Sequence, residues 1–376
     1  MKQFFDYLRP KPTLEKATLK VQRDGDRYEI ILGKRSFEIA SNASQPTDRE
    51  NYDFALFGAL AMALTHNVEI TTDLPISQSA ADAAHEINSL MELWQSRKIY
   101  PTPLKFNNII QKAAPKPDLP GLICLSGGID STFAALESQN KLNITHGMLI
   151  AGADYPSKEN PGFISLRSRV EKIASILELE LIIVETSIRK HGFQWEMLHT
   201  LNLAMCLNFN AEQFGYGVIA ADWTAAQEFN HHPWGNNRTL VSALSSEQFP
   251  IHHVGSDHTR SQKTRKIIKH PSGVSDKISV CFEDKTHGGN CGICSKCIRT
   301  RLNILTSGKE TPELFKHNDP LEDLVAKLPM PKYQARKLRA LAVMLDIRDD
   351  LPEGAVKVAV VNYVDRLKSR ILPTGR

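Results

Sequence analysis

Two runs of residues in this chain have the types and spacing that chemistry needs. In the first, an apolar strand from Leu122 to Leu125 runs into Ser126-Gly127-Gly128-Ile129-Asp130-Ser131, and an apolar-periodic helix follows at once. Glycines in such a turn let backbone N–H groups converge on an anion without interference from Cβ atoms. The helix N-terminus behind it adds partial positive charge where a phosphate would sit. The hydroxyls of Ser126, Ser131 and Thr132 add donors, and Asp130 suits a magnesium ion or its waters. A plain strand-to-helix turn capped by Ser or Asp is the bland alternative. Both serines, the aspartate and the strand–turn–helix context favour phosphate. No Walker A pattern occurs in the chain, so the cradle is of another kind.

The second run is Cys281, Cys291, Cys294 and Cys297, with Gly288, Gly289 and Gly292 easing the turns between them. Short Cys-x-x-Cys steps let thiolates converge on one ion, and four soft sulfurs suit a closed tetrahedral Zn²⁺ site of structural type. An iron–sulfur cluster held by the same four cysteines is the open rival. Cys124 and Cys206 lie in apolar strand and helix patterns and read as core thiols.

These residues need a scaffold. From residue 121 strands and helices alternate: strands at Gly121–Leu125, Ile144–Ala151, Leu179–Glu185 and Gly217–Ala221, helices at Asp130–Gln139, Gly162–Leu177 and Phe193–Phe214. That pattern implies βαβ units with a parallel sheet, whose ligands bind beyond the carboxyl ends of the strands. The Ser126–Ser131 turn, Ala151–Asp154, Thr186–Ser187 and Asp222–Trp223 should then share a crevice. Residues 1–115 read as a separate, smaller α+β domain: strands at Ala17–Val21, Tyr28–Leu32, Ser36–Ile39 and Val68–Thr71, helices at Asn51–Thr65 and Ala80–Arg97. The proline-rich Ala113–Pro120 segment makes a plausible boundary. Residues 116–305 form the α/β unit that carries both motifs. Residues 306–376 read as a helical extension, with helices at Pro320–Leu328, Pro331–Leu345 and Ala355–Ile371.

The chain's 376 residues fit about two to three domains. A hydrophobic share of 41% with 23% charged residues is ordinary for a globular protein. A net charge of +4 does not by itself indicate nucleic acid. The densest apolar patch, Ala55 to Leu64, is too short to span a bilayer. The first residues lack a signal peptide's apolar stretch. A cytoplasmic protein is the expectation, and six cysteines there argue for metal or buried thiols over disulfides.

The Ser-Gly-Gly-Ile-Asp-Ser turn resembles the PP-loop of the ATP pyrophosphatase superfamily, whose members cleave ATP to AMP and pyrophosphate. Combined with the downstream Cys…Cys-Gly-x-Cys-x-x-Cys-x-x-Arg pattern, residues 120–305 resemble the 7-cyano-7-deazaguanine synthase (QueC) family. That resemblance implies a ligase that activates a carboxylate with ATP and joins it to nitrogen. It also implies a four-cysteine structural zinc and magnesium. Carried over by position, Ser126, Gly127, Gly128, Asp130 and Ser131 become the pyrophosphate and Mg²⁺ site, flanked by Leu125, Ile129 and Thr132. The departures are informative. Glu196–Asn202 lacks the arginine of the family's Pro-x-Arg-Asn-type helix start, and Asn230–Arg238 replaces its Tyr-Pro-Asp-Cys-Arg-like loop. A changed substrate follows from these. The extra chain at both ends resembles the long QueC-like proteins of antiphage gene clusters, which are linked to attaching a deazaguanine to a protein.

Other residues carry weaker signals. Asp222 and Trp223 end a strand and could meet a flat substrate, Trp223 by stacking. His231-His232 is a weak metal pair. Arg260, Lys263 or Arg265 could meet phosphate or carboxylate, against a solvated charged face as the alternative. Arg299, just after the last cysteine, is a catalytic candidate, with Arg301 beside it. Lys332, Arg336, Lys337 and Arg339 cluster on one helical face, and solvated basic helices are common. The expected ligands are ATP, Mg²⁺, Zn²⁺ and a deazapurine-like carboxylate, with a protein substrate and a homodimer both compatible and no membrane or nucleic-acid partner indicated. The alternatives from other classes are a tRNA-modifying PP-loop enzyme and a non-catalytic nucleotide-binding subunit.

Overall fold

The computed structural model describes residues 12–46, 48–94, 98–111, 116–139, 141–230, 234–281, 289–309 and 312–371. Its frame is a ten-stranded mixed sheet. Strands β8 (Gly121–Cys124), β9 (Ile144–Ala151), β10 (Glu180–Thr186), β11 (Tyr216–Ala220) and β12 (Ile251–Val254) run parallel in the order β12-β11-β8-β9-β10. Going out from β8, the chain lays β9 and β10 on one side and β11 and β12 on the other. The switch point of this doubly wound half therefore falls between β8 and β11, where ligands of open α/β sheets bind.

The sheet does not stop at the expected boundary near residue 115. Strand β3 (Arg35–Ser41) pairs antiparallel with β10, with Ile39 opposite Thr186 and Ser41 opposite Val184. Beyond it come β2 (Arg27–Leu32), β1 (Glu15–Asp24), β4 (Val68–Thr72) and the edge strand β6 (Leu104–Phe106). A small parallel pair, β5 (Ile76–Ser77) with β7 (Ile109–Ile110), stands apart. The N-terminal residues thus have no core of their own, in contrast to the separate domain expected from the sequence. The reason lies in helix α1 (Asp53–His66), whose residues from Asp53 to Leu64 are all buried. A helix apolar all round needs cover on every side. It shares one core with Leu19, Ile30 and Phe37 before it and with Leu198, Leu201 and Phe209 after the boundary. Arg49 fastens the joint: its guanidinium lies 4.6–5.0 Å from the rings of Tyr28, Phe54 and Phe209 and donates to the Phe209 carbonyl. Of the expected linker, residues 113–115 lie outside the described part.

Side-chain alternation puts a core on each face of the sheet. Leu122, Met148, Val184 and Ile219 belong to the N-terminal core, while their neighbours Ile123, Leu149, Ile183 and Val218 belong to a second one. That second core is completed by α3 (Ile129–Gln139), α4 (Pro161–Ile176) and α8 (Arg260–Lys269). Helix α2 (Gln78–Trp94) packs on the first, although residues 95–97 of its expected span lie outside the described part. Helix α5 (Trp195–Phe209) is shorter than the Phe193–Phe214 run expected: Gly192 at φ +66° turns the chain before it, and Asn210, out of helical conformation, ends it. Several further elements escape the sequence pattern, among them β5, β6, β7 and β12 and the short helices α6 (Ala225–Asn230) and α7 (Arg238–Leu244).

A third core joins α9 (Ser295–Leu305), through Ile298 and Leu302, to α10 (Leu321–Ala326), α11 (Gln334–Arg348) and α12 (Ala355–Ile371). The C-terminal helices are therefore bolted to the cysteine helix. Among the described residues, no helix is long and apolar enough to cross a membrane.

Candidate nucleotide and metal site

The turn after β8 is built as a cradle. Gly127 holds φ +73°, and a Cβ there would stand 2.9 Å from Val170 Cγ2. Gly128 faces open space except for Ser126 Oγ at 3.6 Å and the Ser279 carbonyl at 3.7 Å. Ser131 Oγ braces the turn from inside, accepting from the Ser126 N–H at 3.2 Å and sharing a proton with Ser126 Oγ at 3.0 Å. A backbone bond from Ser279 N–H to the Gly127 carbonyl (2.8 Å) ties the turn to the strand of chain that leads to Cys281. Helix α3 starts at Ile129, so its first-turn N–H groups, which have no partner within the helix, open toward the turn. Ser126 is exposed, and Gly128 and Asp130 are partly so. Leu125 and Ile129 are core residues, and Thr132 is fully buried, which leaves it no surface to offer a ligand.

Around Asp130 stand cations from two helices. Arg260 Nη1 is 3.0 Å from Asp130 Oδ2, and Lys263 Nζ is 3.4 Å from Oδ1 and 2.5 Å from the Ala221 carbonyl. Lys263 is only 1% exposed, so it spans from α3 to the end of β11 inside the protein. A capping box at Thr259 and Gln262 fixes the start of α8 and hence the place of Arg260. Helix α9 adds Lys296 and Arg299. Burial, then the like charge of Arg260, lowers the Lys296 ammonium. The same two causes bring Arg299 down to about 10, with Asp130 acting the other way. Arg260, Lys263 and Arg299 thus gather about Asp130, with Lys296 beside Arg260 and Arg299 and within the field of Asp154 and Asp222, an arrangement suited to a polyanion. Arg265 points elsewhere, paired with Asp350 at 2.8 Å. Arg301 donates to the Gly292 and Asp319 carbonyls and so serves the fold of the cysteine loop.

Asp222, at the end of β11, accepts from Trp234 Nε1 at 2.7 Å. Trp234 opens a file of rings along the crevice wall. His199 meets it edge-on with centroids 5.5 Å apart, and Trp195 stacks on His199 at 5.7 Å. Arg339 lies 4.8 Å over Trp234, and Arg189 4.5 Å over Trp195, closing the file at both ends. Burial keeps His199 neutral, its pKa below the usual histidine value. Trp223, the residue expected to stack on a substrate, packs instead against the C-terminal core. Residues 231–233, including the His231-His232 pair, lie outside the described part. The sequence reading missed Trp195, His199 and Trp234 as a group because Trp234 comes from a loop far along the chain from α5, which carries Trp195 and His199 one turn apart. It met Arg339 only as part of a basic face, and Lys296 not at all.

The four cysteines converge. Their Sγ atoms all lie within 4.8 Å of one another, with Cys281–Cys294 and Cys291–Cys297 each at 3.8 Å. A tetrahedron with metal–sulfur bonds of about 2.3 Å has edges of about 3.8 Å. The four could hold a zinc ion, and the donor set fits it. An iron–sulfur cluster inserts several atoms between its thiolates and needs them farther apart. Cys294 caps α9, its sulfur accepting from the Cys297 N–H, and hydrogen bonds from the Cys297 thiol and N–H bring its pKa to about 5. Gly292 is obligatory there, since a Cβ would reach 2.0 Å from the His317 carbonyl. Cys124 and Cys206 are core thiols, the first raised to about 12 by burial.

Geometry therefore defines a class: a doubly wound α/β protein with a glycine turn and a cation cluster at its switch point and a four-thiolate site beside it. Comparison with family models finds no match, and searches of curated proteins and of solved structures find none either.

Proposed function

We propose that this protein is an ATP-dependent carbon–nitrogen ligase that activates a carboxylate by adenylation and releases pyrophosphate. One observation carries the reading: the Ser126–Ser131 turn opens at the sheet's switch point beneath Arg260, Lys263, Lys296 and Arg299. Backbone N–H groups and the α3 N-terminus would receive the β- and γ-phosphates. A carboxylate oxygen of the substrate attacks the α-phosphorus, the bond to the β-phosphate oxygen breaks, and pyrophosphate departs into the turn. A nitrogen nucleophile then attacks the acyl carbon, its C–O bond to AMP breaks, and the amine's proton passes to solvent. The chain's part is alignment and fixed positive charge, with Arg260 and Arg299 nearest the leaving phosphates.

Asp130, already paired with two cations, is a poor fit for a direct magnesium ligand while those pairs hold. Magnesium in this reading arrives as the counter-ion of ATP and screens its charge. Zinc in the four thiolates is structural: it would pin the loop that starts α9 and so fix Lys296 and Arg299 over the crevice. The substrate favoured is a flat heteroaromatic acid of the 7-carboxy-7-deazaguanine kind, facing the Trp195–His199–Trp234 file. The nucleophile is ammonia or a protein amine.

The test mixes the protein with ATP, Mg²⁺ and 7-carboxy-7-deazaguanine, with and without ammonia, and follows AMP and product mass. AMP with an amide, or with the nitrile left when a second ATP activates that amide's oxygen for departure with AMP, supports the reading with ammonia as nucleophile. AMP or a trapped adenylate without those products supports activation and directs the search to a protein amine. No AMP with this acid or with related heteroaromatic acids sinks it.

A further inference from the structure

We infer that Arg339, carried on the C-terminal helix α11, is the residue that recognises the anionic group of the acyl substrate, so that the C-terminal helices complete the site. The inference rests on the proposed ligase activity and assigns a specificity residue within it.

Arg339 does not behave as one more charge on a basic helix face. Its side chain is 18% exposed, against 56% for Arg336 one turn earlier. Burial lowers its pKa, which means the fold holds a charge in a place that disfavours it. Its guanidinium lies over Trp234, the ring that donates to Asp222 at the end of β11. That position turns it toward Asp222 and the end of β11 rather than to the outer surface of the helical cap. Its ion pair is loose: Nη2 is 3.9 Å from Glu196 Oε2, whereas Arg336 takes the other Glu196 oxygen at 2.8 Å. Arg339 Nε is buried with no hydrogen-bond partner.

A buried guanidinium N–H without an acceptor is costly, and such a group takes its acceptor from ordered water or from a ligand that displaces that water. The partner must be an acceptor, must reach the crevice side of Trp234, and gains most if it is a charged, two-oxygen group, since the guanidinium fork matches a carboxylate. One more unsatisfied group lies near Asp222: Glu228 Oε1 is buried without a partner. Glu228 feels the charge of Asp222, and burial raises its pKa. A donor and an acceptor left open beside a file of rings fit a flat, polar, anionic ring system. Glu196 then acts as a placeholder, holding Arg339 until the substrate anion competes for it.

The test measures binding to the full chain by calorimetry, in the presence of a non-hydrolysable ATP analogue. The probes are 7-carboxy-7-deazaguanine and its neutral carboxamide. The wild type should prefer the acid. Arg339→Gln should weaken the acid about ten- to a hundredfold and leave the carboxamide and the nucleotide as they were. Glu196→Gln, which removes the competing carboxylate, should tighten the acid severalfold, a gain that damage to the fold would not produce. Equal acid binding by wild type and Arg339→Gln overturns the inference and leaves the ligase reading standing. Weaker acid binding in Glu196→Gln also overturns it. If the wild type binds the nucleotide and neither probe, both the substrate class and the inference fall.

Discussion

Arg260 Nη1 stands 3.0 Å from Asp130 Oδ2, and this one ion pair joins the helix behind the glycine turn to the helix that follows β12. Lys263 binds the other carboxylate oxygen from the interior, so Asp130 holds two cations in place rather than standing open to solvent.

Asp130→Asn should therefore act on stability as well as on ATP. It leaves the Lys263 ammonium, 1% exposed, without its counter-charge, with only the neutral Ala221 carbonyl and an amide oxygen to accept from it. Breaking a buried pair from one side costs about 3 kcal/mol. The expected outcome is a lower chemical-denaturation midpoint together with at least a tenfold loss of AMP formation. An unchanged midpoint would show that Lys263 does not depend on Asp130.

Gly127→Ala separates strain from binding. The left-handed φ alone costs roughly 1–2 kcal/mol for a residue with a Cβ. The contact with Val170 Cγ2 adds to it. Adding Val170→Ala should relieve the contact and not the backbone strain. The double variant should thus stay less stable than Val170→Ala alone and weak in nucleotide binding. Nucleotide affinity equal to wild type in Gly127→Ala would remove the turn from the phosphate site.

The cysteine cluster predicts a metal content that can be counted. Elemental analysis should find one zinc and no iron per chain, and the protein should be colourless. Stripping the zinc, or Cys297→Ser, should lower the thermal midpoint by at least about 5 °C, since α9 and the C-terminal core hang from that loop. Visible absorption with bound iron would reinstate the iron–sulfur alternative.

His253 should make the protein acid-sensitive. Its Nε2 pairs with Asn236 Oδ1 at 2.9 Å, and burial, then Lys263 and Arg238, brings its pKa to about 4 from the ordinary 6.5. The neutral ring is the one the fold accepts. Between those values the unfolded chain binds a proton that the folded chain refuses, so stability rises with pH there. It is complete above pH 6.5 and is lost progressively as pH falls toward 4, by a contribution on the order of 3 kcal/mol. His253→Gln should flatten that part of the pH–stability curve. An identical slope in wild type and variant between pH 6.5 and 4.5 would assign the acid sensitivity to other groups.

Much of the architecture was legible along the chain because its signals are local. Strand β9 was read as Ile144–Ala151, and the last helix as Ala355–Ile371, with the limits the structure has. Each shows its period over enough residues to be seen. The glycine turn and the cysteine spacing are likewise contiguous, and both kept their expected form. Strand β12, Ile-His-His-Val, shows no alternation, and α7 is too short for a helical period to stand out. They emerge only because neighbours give β12 an edge to pair with and α7 a core to cover.

Local residue order was sufficient for the strand, turn and helix around Ser126–Ser131 and for four sulfurs within reach of one ion, since backbone geometry and short spacing decide both. It could not show that β3 would pair with β10, because the row of hydrogen bonds left on the edge of one half matches one formed more than a hundred residues earlier. Nor could it show that Arg260 and Lys263 would neutralise Asp130, or that Arg339 would come to rest over Trp234. Those partners lie far apart in the chain, and the burial of three shared cores, which no local pattern encodes, is what brings them together.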